Sequence, residues 1–245
     1  MRFVHARRRI VVAMRRLFFF LLPFAIVAGF VAAVRTGRIV VPPRWNPWAP
    51  LDVAEAPNLL TRFKLARLER DPAACLATLS RTAFRFRPIA DRETGSGCGF
   101  RNAVSIISAD VSLGGALTLS CPATVALALW ERHALQPSAE HWFGRRVARI
   151  EHFGSYACRN VYGREHASRS EHATANAIDV AGFVLDGGRR ISVAKDWTSA
   201  TDAARFLRDV DAGACRFFDA VLDPDYNAAH RDHLHLDRGR YHFCR

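Results

Sequence analysis

The hydrophobic pattern of this 245-residue chain opens on an unbroken apolar run and then switches between helical and strand periods. Leu17 to Val34, LFFFLLPFAIVAGFVAAV, holds eighteen residues without a charge. That is enough helix to cross a hydrocarbon core of about 30 Å with little tilt. Residues 35–57 are punctuated by prolines that cannot continue a helix, and they read as an extended tether. Residues 57–79 then repeat apolar positions at helical spacing with a break at Pro72, whereas Ala103–Ser120 alternates and turns at Gly114-Gly115, the pattern of a hairpin. Residues 121–135 begin a helix with Pro122 in its first turn. A strand over residues 145–153, two strands joined at Asp186-Gly187-Gly188 over residues 177–193, and one or two helices over residues 198–222 follow.

Helices and strands are interspersed without a regular βαβ rhythm, which predicts an α+β class. The expectation is a single domain over residues 58–245, with a small antiparallel sheet and flanking helices, preceded by one transmembrane helix.

The formal net charge of +12 invites a nucleic-acid reading until its distribution is examined. Residues 1–44 hold nine arginines and no acid, leaving 26 basic against 23 acidic residues, a net of +3, in the remainder. That is an ordinary surface, and no nucleic-acid partner is expected. The arginines cluster before the apolar run, with only Arg35 and Arg38 just after it. The positive-inside bias therefore keeps residues 1–16 as a basic cytoplasmic segment, makes 17–34 an inner-membrane anchor and sends the rest across. A cleaved signal peptide competes with the anchor, but AAVRTG is a poor small-x-small cleavage site. Trp45 and Trp48 suit either the membrane interface or packing on the domain.

Cys75, Cys98, Cys121, Cys158, Cys215 and Cys244 are scattered with no CxxC pair, which excludes zinc-finger and thioredoxin-type readings. An even set beyond a membrane segment predicts disulfides in an oxidising compartment, with fifteen pairings open.

Two stretches concentrate the polar chemistry: SEHATANAIDVAGF, Ser170–Phe183, and HRDHLHLD, His230–Asp237. Asp179 sits in an apolar strand, where a carboxylate is costly unless it binds something, and His172 reaches it if the chain between them turns back. In a strand over residues 233–237, His233, His235 and Asp237 share one face while Leu234 and Leu236 face the core. Neutral imidazole and carboxylate suit zinc, and catalytic zinc commonly takes three such ligands.

Ser170, His172, Ala175, Ala177 and Asp179, followed downstream by His233 and His235, resemble the signatures of a group of zinc peptidases. The group includes bacterial D-Ala-D-Ala carboxypeptidases and dipeptidases and penicillin-insensitive murein endopeptidases. The wider chain is more similar still to the bacterial extensin-like C-terminal domain family, through GSYACR, SEHA, NAIDVAGF, FLRDV, DYNAAHRDHLHLD and the terminal CR. The resemblance extends over most of residues 58–245, with these stretches as its marks.

The resemblance implies a Hedgehog/DD-peptidase-like fold with Zn2+ on His172, Asp179 and His235. It places His233 as a catalytic histidine, His230 as a second one, and Arg159 as the group that stabilises a developing oxyanion. Asp232 matches an acidic residue of other branches and rivals His233 as the base, with His233 preferred because it shares the ligand face. Ala175 stands where the family has glycine, which costs roughly 1 kcal/mol or more if positive φ is needed there. His166, in an echoing EHAS, rivals His172, but only His172 has the spacing to Asp179, so His166 is expected to be peripheral. The expected function is a membrane-anchored periplasmic zinc peptidase acting on peptidoglycan stem peptides or cross-links, and the alternative is a non-catalytic cell-wall binding or scaffolding module.

Overall fold

The computed structural model describes residues 2–244, with no side chain described for residues 2–14 and 17. The chain divides into two compact units, Met1–Ala49 and Pro50–Arg245. The first is built on helix α1, Arg2–Arg35, which continues through Pro23. Its Phe18–Arg35 segment is long and apolar enough to span a membrane. Within the same unit the Arg35 guanidinium lies 5.6 Å from the Trp48 ring centroid and that of Arg44 lies 5.7 Å from the Trp45 ring centroid.

The second unit begins with two short helices, α2 (Thr61–Arg67) and α3 (Pro72–Leu79). Pro72 starts a helix here, and the Asp71 carboxylate caps it by accepting from the Ala74 N–H. This is the break expected from the sequence. Leu51 and Val53 are buried in the same core, so the domain starts before the proline-rich stretch ends at residue 57.

Three strands were not expected: β1 (Arg85–Ile89), β2 (Arg92–Gly95) and β3 (Cys98–Phe100). The predicted hairpin is present as β4 (Ala103–Ser108) and β5 (Leu117–Ser120), and β1 joins its outer edge to make a three-stranded antiparallel sheet. Helix α4 (Cys121–Trp130) follows, capped by the Ser120 hydroxyl, and is buried on every side as the central helix of the core. A π-helical turn at Glu131–Leu135 joins it to α5 (Gln136–Phe143).

The second sheet consists of β6 (Val147–Gly154), β7 (Ala177–Leu185), β8 (Arg190–Ser192), β9 (Ala220–Leu222) and β10 (Leu234–Asp237). Its order is β6-β7-β10-β9 with β8 also on β7, all antiparallel. Short α6 (Val193–Asp196) and amphipathic α7 (Asp202–Ala214) pack on it. The expectation of helix through residue 222 is corrected here. The helix stops at Ala214, and Ala220–Leu222 pairs with β10 as a strand. Cys215–Cys244 ties that turn to the C-terminal segment, and Cys75–Cys121 and Cys98–Cys158 complete the pairing of all six cysteines.

The β7–β10 register sets up the functional face. Leu234 pairs with Val180 and Leu236 with Ile178, all buried in the core, which places His235 directly opposite Asp179. A slip by one residue would exchange two buried leucines for polar side chains and lose about 1.5–3 kcal/mol of burial for each.

Candidate metal centre

His172 reaches this face from a 3-10 turn, Glu171–Thr174, whose entry is capped by the Ser170 hydroxyl. Ala175 ends the turn in the left-handed region at φ 53, the conformation for which glycine is the economical residue. The alanine is fully buried against Phe100 and Ala103, and this packing offsets part of the strain. Asn176 then pins the turn in place. Its amide nitrogen donates to Glu171 and to the Arg238 carbonyl, and its oxygen accepts from the Ser120 hydroxyl. Gly239 must lie close beside this corner, because a Cβ there would come within 2.7 Å of Glu171 Oε1 and 3.0 Å of Asp237 Oδ1.

Three donor atoms converge as a result. His172 Nε2 lies 3.1 Å from Asp179 Oδ1 and 3.1 Å from His235 Nδ1, and His235 Nδ1 lies 2.9 Å from Asp179 Oδ1. All three residues are buried. The other nitrogen of each imidazole is occupied: His172 Nδ1 donates to the Ser155 carbonyl at 2.8 Å, and His235 Nε2 donates to Asp237 Oδ2 at 2.9 Å. These outer bonds fix ring orientation and tautomer so that the lone pairs face the centre. Donors about 2.0–2.1 Å from a tetrahedral ion stand about 3.3 Å apart, close to the spacing found here. His172, Asp179 and His235 are thus a ligand set that fits a small cation.

The electrostatics agree with a site built for positive charge. Burial alone would raise the Asp179 carboxyl, but hydrogen bonds from His172 and His235 outweigh it and hold the group far below the usual carboxylate range. Burial would likewise lower His235, yet Asp179 and Asp237 on either side push it up to about 9. At neutral pH the cluster therefore keeps a proton on His235, or exchanges it for a cation.

His233 stands beside this set, its Nε2 3.5 Å from Asp179 Oδ1. Its Nδ1 donates to Asp232 Oδ1 at 2.8 Å, and its ring meets Phe153 edge-on. Asp232 is thus placed behind His233, and the two side chains form one hydrogen-bonded pair. His230 is held by Asn227, whose Oδ1 accepts from the Ala229 N–H and from His230 Nδ1. Burial, then the neighbouring His235 and His233, lower His230 to about 4 and keep it neutral. His172, Asp179, His230, His233, His235 and Arg159 line one cleft of about 220 Å³. His166 is exposed and outside it.

Several supporting groups were not foreseen. Asp237 was readable, since it lies two positions beyond His235 on the same strand face. The Ser155 carbonyl, Asn176, Asn227 and Glu171 act through a backbone atom or a distant partner, for which the sequence carries no spacing signal.

Residues 73–245 match the family model described as extensin-like protein C-terminus. No curated protein and no solved structure matches the chain.

Proposed function

The chain belongs to the extensin-like protein C-terminus family, and from that premise we propose that it is a membrane-anchored zinc-dependent peptidase acting on peptidoglycan stem peptides or their cross-links. The observation that carries this reading is the convergence of His172 Nε2, Asp179 Oδ1 and His235 Nδ1, with both imidazoles locked from behind. Two nitrogens and one carboxylate oxygen are a donor set that suits zinc and leaves a further position toward the cleft. Zinc bound there supplies a Lewis acid that lowers the pKa of water and polarises a carbonyl.

The residues of the chain divide the remaining work. His233 accepts the proton of the attacking water on Nε2, because Asp232 occupies Nδ1, and then delivers it to the leaving amine. Asp232 holds the ring orientation and stabilises the imidazolium that forms in between. Neutral His230 borders the same space as a hydrogen-bonding group, and Arg159 offers charge to a developing oxyanion. The apolar Phe18–Arg35 helix anchors the chain in the inner membrane, and the three disulfides support a domain on the oxidising, periplasmic side.

Digestion of purified muropeptides by the full-length protein in detergent tests the reading. Wild type is expected to release stem-peptide fragments in a zinc-dependent way, and His233→Ala to retain zinc with cleavage lost. Zinc binding without cleavage of any stem peptide, cross-link or D-Ala-terminated peptide would move the protein to the scaffolding class.

A further inference from the structure

The segment that leaves the apolar helix carries positive charge where a span oriented by its N-terminal arginines should leave little. Arg35, Arg38 and Arg44 are exposed, they sit at or beyond the end of the Phe18–Arg35 span, and the chain holds no acid before Asp52. Cations on the far side of a span work against its orientation, so their presence calls for a partner of opposite charge.

Local structure gathers these groups at one level. Gly37, at φ 73, turns the chain back at the end of α1. The Thr36 N–H and hydroxyl donate to the Ala32 carbonyl at 2.9 and 2.8 Å, the Gly37 N–H donates to that of Val34 at 3.2 Å, and the Ile39 N–H to that of Ala33 at 3.1 Å. The last helical carbonyls are thereby satisfied by the chain itself, as a helix end at the margin of hydrocarbon requires. A 3-10 turn at Pro43–Trp45 follows, and then Asn46, whose side-chain oxygen accepts from the Trp48 N–H at 2.9 Å. The two turns set each indole against an arginine, Trp45 with Arg44 at 5.7 Å and Trp48 with Arg35 at 5.6 Å. Ile39, Val40 and Trp45 are large apolar side chains left exposed in the same segment.

We propose that residues 35–48 form an interfacial collar that binds anionic phospholipid headgroups in the leaflet where α1 ends. The proposal rests on the reading of α1 as a membrane anchor and is independent of the peptidase reading. Three observations make the occupant a lipid surface. The segment is continuous with a span apolar enough to enter the bilayer. It exposes aliphatic side chains and an indole, and indoles favour the headgroup level. It also presents three guanidinium groups with no carboxylate in residues 35–51 to compete with a lipid phosphate.

Tryptophan quenching in the full-length protein, reconstituted into mixed phosphatidylcholine and phosphatidylglycerol vesicles, tests the collar. Acyl chains brominated close to the headgroup quench indoles at that depth, and the bromine is carried in one series by the phosphatidylglycerol and in the other, at the same mole fraction, by the phosphatidylcholine. Trp130 and Trp197 are buried in the domain and supply the unquenched background. Wild type is expected to be quenched by both lipids, about twofold more strongly by the anionic one, and the Trp45→Phe, Trp48→Phe double variant to lose that quenchable emission. Because the readout is local to these two indoles, the arginines before the apolar run do not contribute to it. The Arg35→Gln, Arg38→Gln, Arg44→Gln triple variant is expected to stay in the bilayer after a carbonate wash and to be quenched equally by the two lipids. Equal quenching in wild type, quenching that survives the double variant, or an undiminished anionic preference in the triple variant overturns the proposal while the anchor stands. Wild type that carbonate strips from the vesicles removes the anchor reading and the collar with it.

Discussion

Asp179 and Asp211 are both buried carboxylates of one domain, and their surroundings drive them in opposite directions. Asp179 lies between His172 and His235 and is held ionised. Asp211, on α7, has an oxygen without a hydrogen-bond partner among the described residues. Burial first, and then the nearby Asp223, push it up to about 7. Glu131 in the π-helical turn behaves like Asp211, raised to about 7 by burial and then by Asp110. Burial by itself neutralises an acid. An acid that stays charged in the core has been given a partner, and at Asp179 that partner is either a protonated imidazole or a cation.

The largest expected effect exploits that contrast directly. Asp179→Ala removes the charge that organises the histidines and is expected to lower the zinc-loaded thermal midpoint, with a loss on the order of 4 kcal/mol where free zinc exceeds its dissociation constant by about a thousandfold. Asp211→Asn at pH 8 is expected to leave the midpoint unchanged or higher, because it replaces a carboxylate that is costly to ionise there. Equal destabilisation by the two variants in a melting experiment would erase the distinction.

Within the charged region, the proposed function gives His233 a part in the chemistry and none in holding the metal. His233→Ala is expected to reduce muropeptide turnover by roughly 10²- to 10⁴-fold with zinc retained, and Asp232→Ala to reduce it by about 10- to 100-fold, as expected for a group that acts through its neighbour. The reverse ranking would assign the proton transfer to the carboxylate.

The neutral region predicts a pH dependence. Glu131 and Asp211 hold their protons up to about 7 when folded and release them near ordinary carboxylate values when unfolded. Between those limits the folded state binds more protons, so stability falls as pH rises from about 4 to 7 and levels off above. Each group is expected to contribute on the order of 1–3 kcal/mol, and denaturant titrations of the Glu131→Gln, Asp211→Asn double variant across that range should be flatter than wild type. An unaltered slope would mean that neither carboxyl holds its proton to a higher pH in the folded state than in the unfolded chain.

The smallest effect tests the turn between His172 and Asp179. Ala175→Gly relieves about 1–2 kcal/mol of left-handed strain, but it removes a buried methyl worth about 0.8 kcal/mol and loosens the unfolded chain by a similar amount. The net change is expected to stay below about 1 kcal/mol with zinc stoichiometry unaltered. A larger stabilisation in a chemical-denaturation series would show that the alanine strains the turn more than its packing repays.

How legible each part was depended on whether its signal is periodic. The period-two pattern of β10 placed His235 and the two leucines on opposite faces, whereas the pairing of His235 with Asp179 depends on the register against β7, which alternation along one strand does not carry. Strand β1, RFRPI, has no clean apolar alternation because Arg85 and Arg87 flank its half-buried Phe86 and the next position on the Phe86 face is the exposed Pro88. Ala220–Leu222 continues the apolar spacing of α7 and reads as helix, and only its pairing with β10 makes it a strand. The α+β class survived both errors, because the class depends on the longer elements and not on three-residue strands. The disulfide pairing was closed to sequence reasoning, since it joins segments that only the folded chain brings together.

Metal analysis of the purified full-length protein beside its Asp179→Ala variant tests the central claim most directly. One zinc per chain in wild type and none in the variant is the predicted result. A wild type that holds no zinc when the ion is supplied, or a variant that holds as much as wild type, would contradict the assignment of His172, Asp179 and His235 as a metal centre.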